Sequence, residues 1–201
     1  MHSGQTRRRF LTAVGLAALA GCQQESPADG GQTPTGSPAS NPAVGDVSQR
    51  GDFRLTSPAF DDGGAIPMQY GRSAANVNPP LSIAGVPTKA TSLALIVDDP
   101  DAVGPAGKVW LHWLVWNVPP ETTEIPEGWE PTAAVEGTND FGETGYGGPA
   151  PPDDTHTYRF KCYALDAMLD LPSSASKRDV GAAMAGHVLA QTQLTGTYSP
   201  Q

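Results

Sequence analysis

Two apolar runs dominate the chain's pattern. "SLALIVDD", residues 92–99, is apolar from Leu93 to Val97, then turns acidic and is ended by Pro100. "VWLHWLVWNV", residues 109–118, is apolar in both alternating sets and carries one histidine. A strand with one solvated face alternates, whereas apolar residues in both sets predict burial on both sides, so these two read as central strands. "THTYRFKCYALD", residues 155–166, predicts a further strand, and "FRLTSPAF", residues 53–60, a first strand broken at Pro58. Residues 68–86, "MQYGRSAANVNPPLSIAGV", are turn-rich with short strands at best. Helical spacing is found in "SKRDVGAAMAGHVLAQTQL", residues 176–194. There Ser176 can cap, Asp179 takes the capping-box position, and Val180, Met184, Val188 and Gln191 follow one face. The expectation is a mainly β domain over residues 52–201 with one late amphipathic helix near the C-terminus.

The chain before that domain reads differently. "TRRRFLTAVGLAALAGC", residues 6–22, has a basic start, an apolar core too short to span a bilayer and a small-residue end. Arg7 and Arg8 followed by Phe10 and Leu11 resemble a twin-arginine export signal, and "LAGC" resembles a lipoprotein cleavage box with Cys22 as the lipidated residue. Residues 1–21 are therefore expected to be a signal peptide. Residues 22–51, small, polar and rich in Pro, Gly and Ser, are expected to be a disordered tether. The expected location is the outer face of the cytoplasmic membrane, held through the lipid on Cys22. Cys162, the other cysteine in the sequence, reads as a small packed strand residue with no disulfide to Cys22.

Charge narrows the choice of partner. The formal net charge is −9, and loss of Arg7, Arg8 and Arg9 with the leader leaves 9 basic against 21 acidic residues, or −12. Nucleic acid needs a basic face, so it is excluded. Candidate chemistry gathers in three places. "DDPDAV" brings Asp98, Asp99 and Asp101 to the end of one strand, where a turn alone would also explain them. His112 lies inside the next apolar run, and strict alternation would place it on one face with Trp110, Leu114 and Trp116. The constrained loop "GETGYGGPAPPDDTHTY", residues 142–158, delivers His156 and Tyr158 to a strand start. That loop is not a phosphate-cradling P-loop, because no Gly-Lys-Ser/Thr follows. Neither an HExxH pair nor a G-x-S-x-G elbow occurs.

In order along the chain, "SPAF", "NPPLSIAGVP", "SLALIVDDPDA", "HWLVWNVP", "GTNDFGETGYGGPAPP", "HTYRFKCYALD" and "GHVLAQTQLTGTY" resemble the phosphatidylethanolamine-binding proteins. The closer similarity is to their bacterial and archaeal Raf-kinase-inhibitor-like branch. The resemblance implies a β-sandwich with peripheral helices and a small surface pocket for phosphate-like anions or phospholipid head groups. It implies a pocket of Asp99, Asp101, His112, His156 and Tyr158, a loop wall from Gly148, Pro149, Pro151 and Pro152, and Tyr198 near the mouth. It implies no catalytic residue, no metal and no cofactor. Two positions depart from the branch: Ala150 stands where cysteine is frequent, and Thr157 where arginine is common. The segment "VGPAGKVW" is also short, which weakens any transfer of kinase inhibition. Two carboxylates repel a bare anion, so a zwitterion such as phosphoethanolamine fits better than phosphate alone. A metal-dependent hydrolase built on Asp99, Asp101, His112 and His156 stays open as an alternative, as does an interaction protein with a vestigial pocket.

Overall fold

The computed structural model describes residues 52–201. The expected signal peptide, Cys22 and the tether lie outside the described residues. Among the described residues, nine strands and two short α-helices follow in order: β1 (Arg54–Thr56), β2 (Gly64–Ala65), β3 (Leu81–Ala84), β4 (Ser92–Asp99), α1 (Val103–Ala106), β5 (Trp110–Val118), β6 (Glu124–Ile125), β7 (Val135–Glu136), β8 (His156–Leu165), α2 (Lys177–Met184) and β9 (Val188–Tyr198). They form two sheets, one ordered β1-β3-β6 and the other β2-β9-β8-β4-β5-β7.

The layers follow from the apolar pattern. Every residue of β4 is buried, because each of its faces meets a different layer. On one side Leu93, Leu95 and Val97 join Trp113, Val115, Phe160 and Cys162 against Leu55, Leu81, Ile83 and Ile125 of the small sheet. On the other side Ala94 and Ile96 join Leu111, Leu114 and Trp116 beneath Val180 and Met184 of α2. Burying a side chain such as Leu95 completely contributes about 1.5–3 kcal/mol. Cys162 is a packed core residue whose thiol pKa burial pushes up to about 12, so it is chemically inert.

Two sequence expectations need correction. The helix at 176–194 is much shorter than its periodicity suggested. Ser176 and Asp179 do form the capping box, but α2 stops at Met184, and Gly186 takes the left-handed conformation (φ 85°). From Val188 the chain runs as the eleven-residue β9, paired with β8 along its length. Val188 and Gln191 are therefore strand residues. β-branched Val188, Thr192, Thr195 and Thr197 favour that state, and pairing with β8 satisfies every second backbone group.

The second correction concerns the faces of β5. Between the pairs Val97↔Trp113 and Asp98↔Leu111, β5 carries one residue more than β4. The extra residue is His112, and the bulge breaks the alternation there. Leu111, Leu114 and Trp116 face α2. Trp113 and Val115 face the small sheet, and His112 is turned to their side, against Tyr158. His112 thus does not share a face with Leu114 and Trp116.

Candidate functional site

The end of β4 sets up the site. Asp98 and Asp99 point to opposite faces, as successive strand residues must. Pro100 stops the strand, and Asp99 Oδ1 accepts the backbone N–H groups of Asp101 (2.8 Å) and Ala102 (3.1 Å), which fixes the turn into α1. Asp99 Oδ2 accepts from His156 Nδ1 at 2.7 Å. The other ring nitrogen of His156, Nε2, donates to Asp153 Oδ1 at 2.9 Å. Both nitrogens therefore face carboxylates, an arrangement the imidazolium fills with two donated bonds. Burial opposes that charge, but the hydrogen bonds and charges of Asp99 and Asp153 outweigh it and raise the His156 pKa above its ordinary value. Asp153, with its exposed carboxyl, is lowered by the backbone N–H of Asp154 and then by His156.

His112 is in the opposite state. Its Nδ1–H donates to the Gly147 carbonyl at 2.7 Å, and burial, opposed by that bond and by Asp99, lowers its pKa. It is a neutral imidazole whose Nε2 has no partner among the described residues. Tyr158 stands edge-on to it with ring centroids 5.1 Å apart. The Tyr158 hydroxyl lies beside Asp99 and Ala150, and its pKa is raised, by burial first and then by the Asp99 charge. It is buried without a hydrogen bond of good geometry to any described residue, and so is Trp110 Nε1–H. Unpartnered buried donors are rare in folded proteins and ask for an explanation.

Asp99, His112, His156 and Trp110 border a cavity of about 190 Å³, which is also lined by Ala102, Pro105, Ala106, Phe141, Ala150 and Pro152. The polar groups are Asp99, His112, His156 and the Trp110 indole N–H; α1, the Trp110 and Phe141 rings, Ala150 and Pro152 make the rest apolar. Cations at the rim are already paired. Lys108 lies over the Trp110 ring (4.9 Å) and bonds Asp140 at 2.7 Å. Arg72 lies over Phe141 (4.0 Å) and grips Glu143 with two bonds of 2.7 and 2.8 Å.

Of the residues expected from the sequence, Asp99, His112, His156 and Pro152 line this cavity, whereas Tyr158 is buried behind the lining, packed edge-on against His112. Asp101 does not; its carboxylate accepts the Thr157 N–H at 2.8 Å and ties the loop to β8. Gly148 also lies away from it. Its N–H donates to Asn76 Oδ1, and a Cβ there would overlap the Tyr70 carbonyl, so this close approach of two backbones requires glycine. Pro149 and Pro151 border a different cavity, of about 180 Å³, with Tyr198. Tyr198 is buried, its hydroxyl bonding the Met68 carbonyl at 3.2 Å; it pairs with His156 in the sheet but is not at the mouth of the larger cavity. The ligand set expected for the hydrolase alternative is not assembled: Asp101 is turned away and both His156 nitrogens are occupied. Among the described residues no group of three His, Cys, Asp or Glu side chains is placed to hold a metal ion. Sequence reasoning missed the α1 wall and Phe141, although Phe141 lies within the block "GTNDFGETGYGG".

Residues 56–199 match the family model of the phosphatidylethanolamine-binding proteins. The chain belongs to that family. It is 50% identical over 151 residues to a UPF0098 protein of Methanothermobacter thermautotrophicus, covering 73% of this chain and 98% of the relative. A phosphatidylethanolamine-binding-protein homologue from Chlamydia trachomatis superposes with a TM-score of 0.71 at 41% identity, covering 74% of this chain and 98% of that one. Escherichia coli YbcL, described as a member of the mammalian family, gives 0.69 at 34% identity, covering 74% of this chain and 99% of that one. A candidate lipoprotein of Mycobacterium tuberculosis, LppC, is 36% identical over 198 residues, 95% of this chain and 96% of the relative. For this family member the sandwich with a late helix, expected from sequence, is the observed fold. Proteins of the family are in general binding proteins.

Proposed function

We propose that the protein binds, without catalysis, a small zwitterionic or anionic head group of the phosphoethanolamine class in the Asp99–His112–His156 cavity, and that it does so as a lipid-anchored envelope protein. The carrying observation is an unpartnered donor, an unpartnered acceptor and a carboxylate in one small cavity. Trp110 lines the cavity, and its Nε1–H, which has no partner among the described residues, can donate to a phosphate oxygen; the Tyr158 hydroxyl lies beside Asp99 and outside the lining. The free Nε2 of neutral His112 can accept from an ammonium, and the Asp99 carboxylate, which already holds three N–H groups, attracts it by charge. The rim cations are already paired with Asp140 and Glu143, so a bare phosphate has no local positive field to draw it in. Each nitrogen of His156 is held by a carboxylate, and Cys162 is deep in the core, away from the cavity.

The anchored location is supported by the twin-arginine pair and the box at Cys22, and by LppC, whose match is long enough to include part of the leader. Calorimetry with phosphoethanolamine, ethanolamine and inorganic phosphate tests the binding reading. Phosphoethanolamine is expected to bind best, with a Kd no tighter than about micromolar, roughly −8 kcal/mol. His112→Ala should weaken binding by about 1–3 kcal/mol, or roughly 5- to 150-fold. Equal binding by wild type and His112→Ala would show that the cavity is not the site.

A further inference from the structure

Asp98 points away from the cavity, into the face of the sheet that α2 partly covers. Its side chain is 1% exposed, and three cations converge on it. Arg159 Nε reaches Oδ1 at 2.8 Å, and Lys161 Nζ and Lys177 Nζ each reach Oδ2 at 2.6 Å. Burial alone would push the Asp98 pKa up, but the three bonds together hold it down. One cation would neutralise this carboxylate. Three leave two positive charges in excess, in a chain whose formal charge is −9.

The excess is not cancelled nearby. Among the described residues Asp98 is the one carboxylate within ion-pair distance of these three groups. On β9 the residues opposite Arg159 and Lys161 are Thr195 and Gln193. The acid bordering that edge, Asp62, has its Oδ1 taken up by the Thr195 N–H and hydroxyl. Burial, aided by repulsion from Lys177 and Arg159, outweighs Asp98 and lowers the Lys161 pKa. Donor capacity also remains. Both terminal nitrogens of Arg159 lack a partner among the described residues, and each ammonium spends one of its three N–H groups on Asp98. Arg159 and Lys177 are about one-third exposed, at 32% and 36%, so these donors are within reach of solvent.

We propose that Arg159, Lys161 and Lys177 form a second anion site, separate from the cavity and on the opposite face of the same sheet. It takes a phosphate-class anion, either free or as the phosphate of a lipid head group. Arg159 supplies a planar fork and the two lysines supply point charges, the pairing that phosphate oxygens favour. Because Asp98 and Asp99 are consecutive on β4, the two sites are back to back across one strand.

Site-resolved NMR on the ¹⁵N-labelled full chain tests this, at ionic strength held constant with chloride. One arm adds inorganic phosphate and the other adds soluble dihexanoylphosphatidylglycerol. The expected result is a saturable shift of the Arg159 Nε–H and of the Lys161 and Lys177 amides. Events in the cavity are read separately at Trp110 Nε1–H and Gly147. A response to phosphate supports a free anion as the source, and a response to lipid alone supports the head group. Lys177→Ala leaves two cations on Asp98 and is expected to weaken the titration about tenfold. Arg159→Met, which keeps both lysines on Asp98, should do the same and serves if the first variant is poorly folded. Silence of the three resonances in both arms, or unchanged titration in folded variants, overturns the proposal.

Discussion

Replacing Asp99 with Asn isolates one bond at the heart of the cavity. The Asn oxygen can keep the N–H groups of Asp101 and Ala102, so the turn into α1 survives. The new amide N–H₂ then faces His156 Nδ1–H, donor against donor, and the imidazole must discharge or turn. In the wild type this hydrogen bond joins two side chains that are 4% and 5% exposed. A charge-assisted hydrogen bond of this kind is worth about 1.5–3 kcal/mol. Asp153 can offset little, because its carboxylate is 55% exposed and screened by water. The folded-state pKa of His156 lies above 6.5. Its stabilisation is therefore complete below that value and fades as pH rises through the folded pKa. The stability gap between wild type and Asp99→Asn should be widest in mildly acidic buffer, near pH ~6, and narrow towards pH ~9. Urea unfolding at fixed pH values measures the gap, and ¹H–¹⁵N correlation of the imidazole reports its charge. A wild-type His156 that titrates below 6.5, or a gap independent of pH, would refute the reasoning.

Other substitutions and two deletions probe separate parts of the chain. Gly148→Ala forces a Cβ into the Tyr70 carbonyl and should lower stability by about 1–3 kcal/mol in denaturant melts. Deleting 195–201 removes the four β9 residues paired with Arg159 through His156, together with buried Tyr198. The melting temperature and phosphoethanolamine affinity should both fall, with a stability cost above about 3 kcal/mol, whereas deleting 199–201 should change neither. Changing Arg7 and Arg8 to Lys should strand the protein in the cytoplasm on fractionation, and Cys22→Ser should release a folded protein from the membrane; normal export of the double-Lys form would end the twin-arginine reading.

Much of the scaffold was legible because β4 and β5 are buried on both faces, which leaves a continuous apolar run, and β8 alternates as a half-buried strand does. The acids at the end of β4 and the histidines at 112 and 156 could be singled out as unusual in such surroundings. Their orientation could not. Strict period two placed His112 with Leu114 and Trp116, and one bulged residue reversed that relation; a bulge adds no signature of its own when all neighbours are apolar. β9 was hidden by local helical spacing at Val180, Met184 and Val188, which long-range pairing with β8 overrode. Asp101 illustrates a third limit. Its residue type suits a site, yet its carboxylate serves the Thr157 N–H, a partner 56 positions away that no local pattern reveals. The same holds for the cluster on Asp98, assembled from β4, β8 and α2.

β9 also bears on synthesis. Its last residues lie parallel to β2, with Gly64 opposite Gly196 and Ala65 opposite Thr197, while its other edge completes β8. The earliest and latest strands of the domain's larger sheet therefore clasp each other. A nascent chain still lacking β9 presents β8 as a long, unprotected edge beside a half-built core, the geometry that invites pairing with another chain. Stable folding must wait until the ribosome has let go of the residues that close the sheet. A premature stop before β9 would accordingly act as a loss of the whole domain, and the vulnerable interval for each molecule lies between the emergence of β8 and that of β9.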